Sequence, residues 1–174
     1  QGTAGVRAED MVRMWAPAEA FVEANDYING LELETAGTTV PLPGSLALVS
    51  SLPAGSWTIC TSANRELGLA RVRAAGLPVP AEFVCGDDVL AGKPAPDPYL
   101  LGASRLGLHP SSCVVFEDAV AGVESARAAG VGVVVGIGSR VLEADVSCVV
   151  SSLEGITWAN GVLTVPSSSL LKGI

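Results

Sequence analysis

From residue 44 onward, short aliphatic runs alternate with stretches whose apolar residues recur at helical spacing. "GSWTICT" (55–61) predicts a strand, and "NRELGLARVRAAG" (64–76) a helix with Asn64 as N-cap, Leu69 and Val72 on one face, and Gly76 as its stop. "AEFVCG" (81–86) predicts the next strand. "APDPYLLGASRLG" (95–107) then reads as a helix with Asp97 at the N-cap, Pro98 in the first helical position and Gly107 past the end. "CVVFE" (113–117) is a strand, "DAVAGVESARAAG" (118–130) a helix closed by Gly130, and "VGVVVGIG" (131–138) another strand. Valine-rich strands that do not alternate, separated by helices, fit a parallel sheet covered on both faces. The fold class is therefore α/β, with a doubly wound, Rossmann-like sheet over residues 41–150.

The first 40 residues have a different pattern. "AEDMVRMWAPAEAFVEANDYI" (8–28) has helical spacing, with Met11, Met14 or Trp15, and Phe21 or Val22 as the inward positions, and it joins the rest through "TTVPLPG" (38–44). Residues 151–174 are Ser-rich, with one strand-like stretch, "GVLTV", and no evident chemistry; they read as a tail.

Composition narrows the partners. The 174 residues are 49% hydrophobic, enough for one packed domain, and carry 18 acidic against 10 basic residues for a net charge of −8. With no cluster of Lys or Arg, nucleic acid and anionic membrane surfaces are disfavoured. The longest apolar runs fall well short of the roughly 20 residues of a membrane span. The chain opens on Gln1 with no basic flank and apolar run behind it, so no leader is read; a processed chain or a piece of a longer one is expected. Cys60, Cys85, Cys113 and Cys148 lie in apolar, strand-like contexts without a CxxC pair, and read as core residues of a cytoplasmic protein.

In a doubly wound sheet, ligands gather at the carboxyl ends of the strands. The polar residues at those ends are Thr61 and Ser62, then Lys93 in the loop "AGKPAPDP", then Glu117 and Asp118. Hydroxyls and backbone N–H groups at a strand-to-helix turn form a phosphate cradle, although Ser and Thr are also ordinary turn residues. Lys93 between Gly92 and Pro94 is aimed by its loop, or is simply a surface lysine. Two adjacent carboxylates suit a hard divalent cation, and Asp118 could equally cap the helix that follows.

In the order hydroxyl, lysine, acid pair, the segments "WTICTSAN", "GDDVLAGKPAPDPYLLGASRLGL" and "CVVFEDAVAGVESARAAG" resemble the haloacid dehalogenase superfamily. They are most similar to its β-phosphoglucomutase-like branch and its fungal glycerol-phosphate and sugar-phosphate phosphatases. The resemblance covers about residues 38–150. It implies a Mg²⁺-dependent phosphomonoesterase acting on a small phosphorylated metabolite. Thr61 and Lys93 would be catalytic, Glu117 and Asp118 would hold Mg²⁺, and Ser62, Asn64 and Arg7 would bind substrate. Arg7 enters through "TAGVRAED", similar to a cap segment reading HGxR, with Ala4 where the histidine stands. Residues 1–40 would be part of a helical cap.

The family opens with a strand ending in DxDGT or DxDGV, whose first Asp becomes the aspartyl-phosphate. No DxD occurs in these 174 residues. That strand would be the sheet's centre, between the strands ending at Cys60 and Phe116, so the resemblance implies a split sheet and a chain inactive on its own. Two function classes follow: a phosphatase whose nucleophile lies on another segment, and an inactive descendant retained for binding or regulation.

Overall fold

The computed structural model describes residues 3–173. Two helices, α1 (Ala8–Trp15) and α2 (Phe21–Thr35), pack on each other and precede a short α3 (Ser45–Ser51). Strands β1 (Ile59–Cys60) and β2 (Phe83–Val84) flank α4 (Arg65–Ala74), and α5 (Asp97–Arg105) leads to β3 (Val114–Glu117). Next come α6 (Val120–Ala128), β4 (Val133–Ile137) and β5 (Cys148–Val150). The chain ends with β6 (Thr157–Ala159), β7 (Val162–Thr164) and β8 (Leu170–Lys172).

The sheet is split. Among the described residues β1 pairs only with β2, in parallel, while β3, β4 and β5 form a second parallel set to which β8 adds an antiparallel edge. Among the described residues no strand lies between β1 and β3. The burial pattern follows the split: Val134, Val135, Val149 and Val150 in the middle of the larger sheet are fully buried, whereas Val114, Val115 and Phe116 of β3 and both residues of β1 are only half-buried. β4 shows why its valines do not alternate with polar residues. Val134 packs against Val123 and Ala126 of α6 on one face, and Val135 against Leu48, Leu153 and Ile156 on the other.

The two sheets are held in one body by α5. A Cβ on Gly102 would lie 2.6 Å from Cys60 Sγ, so that glycine lets α5 rest on β1. One turn earlier Tyr99 joins the core beneath β3 and β4. Asn64 caps α4 as its sequence predicts, accepting from Leu67 N at 2.9 Å. Asp97 is the first residue of α5 instead of its cap, with Pro96 in the N-cap position.

Two expectations change. The inward residue of α1 is Val12, while Met14 and Trp15 point outward; the short helix is oriented at its start by the buried Arg7. Residues 151–173 are no appendage either. β6 and β7 form a hairpin around "GVLTV", and β8 covers the edge of β5 that would otherwise be open. No helix among the described residues is long and apolar enough to cross a membrane, and all four cysteines are free thiols.

Candidate active site

The carboxyl ends of β1 and β3 open into one cavity of about 860 Å³, and Thr61, Ser62, Asn64, Lys93, Glu117, Asp118 and Arg7 all line it. The sequence separates these residues by up to 111 positions. The parallel strands bring them together because each delivers its loop to the same end of the sheet. Ile59, Cys60 and Phe116, from the two unpaired strand edges, line the cavity as well. The split in the sheet and the polar site are therefore one continuous space.

Glu117 is the most constrained residue in it. It is buried, and Oε1 accepts from Lys93 Nζ and from the Tyr99 hydroxyl at 2.8 Å. Oε2 accepts from the backbone N–H groups of Asp118 at 2.9 Å and Ala119 at 3.0 Å. A carboxylate has about four acceptor positions, and all four are filled within the chain. Burial raises the acid's pKa, but the Lys93 charge and these hydrogen bonds more than offset it and hold Glu117 below its ordinary value. Gly122 makes the arrangement feasible, since a Cβ there would lie 2.0 Å from the Glu117 carboxyl carbon.

Asp118 has the opposite environment. Its carboxylate is 60% exposed, meets Arg140 at 3.6 Å, and makes no capping bond to α6. Glu117 instead accepts the N–H groups of Asp118 and Ala119, the two residues that lead into α6. The alternative reading of Asp118 as a cap is thereby removed. The two acids expected to hold metal sit in different surroundings, Glu117 saturated by partners inside the protein and Asp118 open to the cavity. Among the described residues no group of three or more His, Cys, Asp or Glu side chains is placed to hold a metal ion. The oxygens of Asp118 fit a hard cation that completes its shell with phosphate and water.

Thr61 Oγ1 accepts from Ala63 N at 3.2 Å, which leaves the hydroxyl proton to be donated into the cavity. The Ser62 hydroxyl donates to Gly5 O at 2.6 Å, so of Ser62 it is the backbone N–H that remains for a ligand. Asn64 is engaged at both ends, capping α4 through Oδ1 and donating from Nδ2 to Asn29 Oδ1 at 3.1 Å. It links α2 to α4, which leaves one Nδ2 hydrogen uncommitted. Arg7 is committed to internal partners. Its guanidinium bonds Asp10 and the carbonyls of Gly86, Val89 and Leu90.

Sequence reasoning passed over Tyr99. It sits on the apolar face of α5, where an aromatic reads as core, yet a buried phenol needs a hydrogen-bond partner. Burial and the adjacent Glu117 charge push its pKa far upward, so it stays a protonated donor. Lys93 Nζ lies 4.9 Å from the centre of the Tyr99 ring, a further cation–π support for the ammonium.

Comparison with known proteins identifies the family. Hexitol phosphatase A of Escherichia coli (strain K12) is 48% identical over 130 residues, 71% of this chain and 59% of that protein. Glycerol-1-phosphate phosphohydrolase 2 of Saccharomyces cerevisiae is 34% identical over 140 residues, 72% of this chain and 55% of that protein. The chain thus spans somewhat over half the length of these relatives. In fold it is similar to a crystal structure of β-phosphoglucomutase from Clostridium difficile, with a TM-score of 0.71, 20% identity, and coverage of 87% of this chain and 73% of that one. The family model described as haloacid dehalogenase-like hydrolase matches residues 11–130, the stretch that carries Thr61, Lys93 and the acid pair. The chain belongs to the haloacid dehalogenase-like hydrolases.

Proposed function

We propose that this chain is the helical cap segment and most of the core of a Mg²⁺-dependent phosphomonoesterase for small phosphorylated polyols or sugars, acting through an aspartyl-phosphate on an aspartate outside these 174 residues. The observation that carries this reading is the cavity between the β1 and β3 edges, bounded by a hydroxyl, a buried ammonium and an open carboxylate. The names of the two relatives, hexitol phosphatase and glycerol-1-phosphate phosphohydrolase, support the substrate class.

Phosphoryl transfer needs little covalent help from the protein beyond its nucleophile, and mostly requires positioning and charge compensation. The Thr61 hydroxyl and the Ser62 N–H would hold phosphoryl oxygens. Lys93, fixed by Glu117 and Tyr99, would offset the charge that builds up between phosphate and attacking carboxylate. Asp118 would be the chain's direct ligand to Mg²⁺, and Glu117 would act from behind by orienting Lys93. When bound, the ion would neutralise phosphate charge and orient the transferred group. Arg7 would hold the site together without touching substrate, and Asn64 would tie α2 to α4 beside it.

The test joins the chain at its amino terminus to an aliphatic strand ending in DxDGT, then measures phosphate release from glycerol 1-phosphate and from a hexitol phosphate. Mg²⁺-dependent release from at least one is expected, none from the 174-residue chain alone, and none after replacement of the first Asp of the added motif. A folded, completed protein that hydrolyses neither ester would sink the proposal.

A further inference from the structure

Arg7 is the N-cap residue of α1, but its side chain turns inward and is only 9% exposed. Nε donates to Asp10 Oδ2 at 2.6 Å and Nη2 to Asp10 Oδ1 at 2.9 Å. Nη1 donates to Gly86 O at 3.3 Å and Val89 O at 3.1 Å, Nη2 to Leu90 O at 3.2 Å, and Glu9 Oε1 lies 2.8 Å from Nη1. A guanidinium has five N–H donors in a rigid fork, and all five are used. Two carboxylates already compensate its single charge, so a phosphate approaching it would meet a net negative group.

The three carbonyls belong to the loop that ends at Lys93. That loop is shaped around the arginine: a Cβ on Gly92 would lie 2.5 Å from Arg7 Nε, and one on Gly86 would lie 3.2 Å from Arg7 Cδ. Two residues before Arg7, the same piece of chain touches the other two site loops. Gly5 O accepts from Ser62 Oγ at 2.6 Å, and a Cβ on Gly5 would meet Ala119 Cβ at 2.7 Å.

We propose that Arg7 is a positioning residue, a clasp that grips the carbonyls of residues 86–90 and thereby fixes Lys93 against Glu117, and that it makes no contact with substrate. The inference rests on the function proposed above only for the importance of Lys93. Its test needs no turnover, so the two can fail separately.

The chain has two lysines, Lys93 and Lys172, which makes amine labelling a direct reading. Lys93 is buried and Lys172 exposed, so a succinimidyl ester followed by peptide mass spectrometry reports Lys93 protection against an internal standard. Arg7→Gln should raise the labelling rate of Lys93 relative to Lys172 at least tenfold, while the amides of β4 keep their hydrogen-exchange protection. Arg7→Lys should behave alike, because one ammonium cannot reach three carbonyls and two carboxylate oxygens. Gly92→Ala leaves Arg7 in place but crowds it, and should give the same release; it carries the test if the Arg7 variants do not fold. Lys93 protection unchanged in Gly92→Ala and the Arg7 variants would overturn the clasp. So would Arg7→Gln that keeps Lys93 protected yet weakens binding of inorganic phosphate measured by calorimetry.

Discussion

Lys93 and Glu117 form a buried ion pair across the carboxyl end of the sheet, one on the loop after β2 and the other at the last position of β3. Both charges are buried, so removing them from water costs much of what their attraction gains. Removing one partner strands the other. Lys93→Met is expected to lower unfolding free energy by about 3–5 kcal/mol, as is typical for breaking a buried pair. The Lys93→Met, Glu117→Gln double variant should recover part of that loss. Chemical denaturation of the two singles and the double closes the cycle, and additive losses would mean that the pair does not form.

The same pair sets an acid limit. Glu117 is held below its ordinary value of 4.5, so in the folded chain it stays ionised at pH values where the unfolded chain takes up a proton. Its contribution is complete above the unfolded value and disappears as pH falls through the folded one. Unfolding free energy followed from pH 6 downward should therefore drop below about pH 4.5. Glu117→Gln should show a shallower fall over that interval. A Glu117→Gln curve with undiminished slope would place the acid sensitivity elsewhere.

Tyr99 gives a smaller effect of the same kind. Its hydroxyl donates to a buried carboxylate, a class of bond worth about 1.5–3 kcal/mol. Tyr99→Phe keeps the ring that lies in the core beneath β3 and β4, so no cavity opens. A loss in that range is expected by denaturation, and a neutral result would show that Lys93 and the two N–H groups satisfy Glu117 without it.

Two glycines test whether close approach or helix propensity governs. Gly122 in α6 lies under the Glu117 carboxylate, with no room for a Cβ, whereas a Cβ on Gly30 in α2 meets nothing within 4 Å. Replacing glycine by alanine inside a helix ordinarily stabilises by about 0.5–1 kcal/mol. Gly30→Ala should therefore raise the melting temperature. Gly122→Ala should lower it, because the methyl group displaces Glu117 from its four partners. Equal shifts in the two variants would mean that the carboxylate moves aside freely.

Much of this architecture can be read from the residues themselves. Valine runs closed by an acid or a hydroxyl mark parallel strands and their ligand-facing ends, and Asn64 announces the start of α4. Four features are hidden, each for a physical reason. β8 lacks strong alternation and is recognisable only from the edge of β5 that it covers. Tyr99 looks like core because its ring is core, and only the buried carboxylate reveals what the hydroxyl does. For Arg7 and Asn64 the resemblance implies substrate contact, while their internal partners include groups 35 or more positions away, which no local pattern encodes. The division of labour between Glu117 and Asp118 was illegible too, since adjacent residues on an extended chain point to opposite sides and only the fold decides which side is buried.

Under the proposed function, that division would make Asp118 the decisive residue for metal. Its carboxylate is mostly exposed, bonds no backbone N–H of α6, and has only a long contact with Arg140. Removing its charge should therefore matter little to the fold, and Asp118→Asn in the presence of EDTA should leave unfolding free energy within about 0.5 kcal/mol of the parent, as for ordinary surface changes. Mg²⁺ should respond differently, because an amide offers one neutral oxygen where the carboxylate offers charge. In the protein completed with the aspartate-bearing strand, the Mg²⁺ concentration for half-maximal phosphate release should rise at least about tenfold, equivalent to roughly 1.4 kcal/mol of binding. Glu117→Gln in the same protein should fail in another way, with large losses of stability and turnover rate at any Mg²⁺ concentration, since it loosens Lys93. Titrating Mg²⁺ against both activity and melting temperature separates the two acids. If Glu117→Gln shifted the Mg²⁺ requirement and Asp118→Asn did not, the saturated acid would be the ligand and the division of roles drawn from its four hydrogen bonds would be reversed.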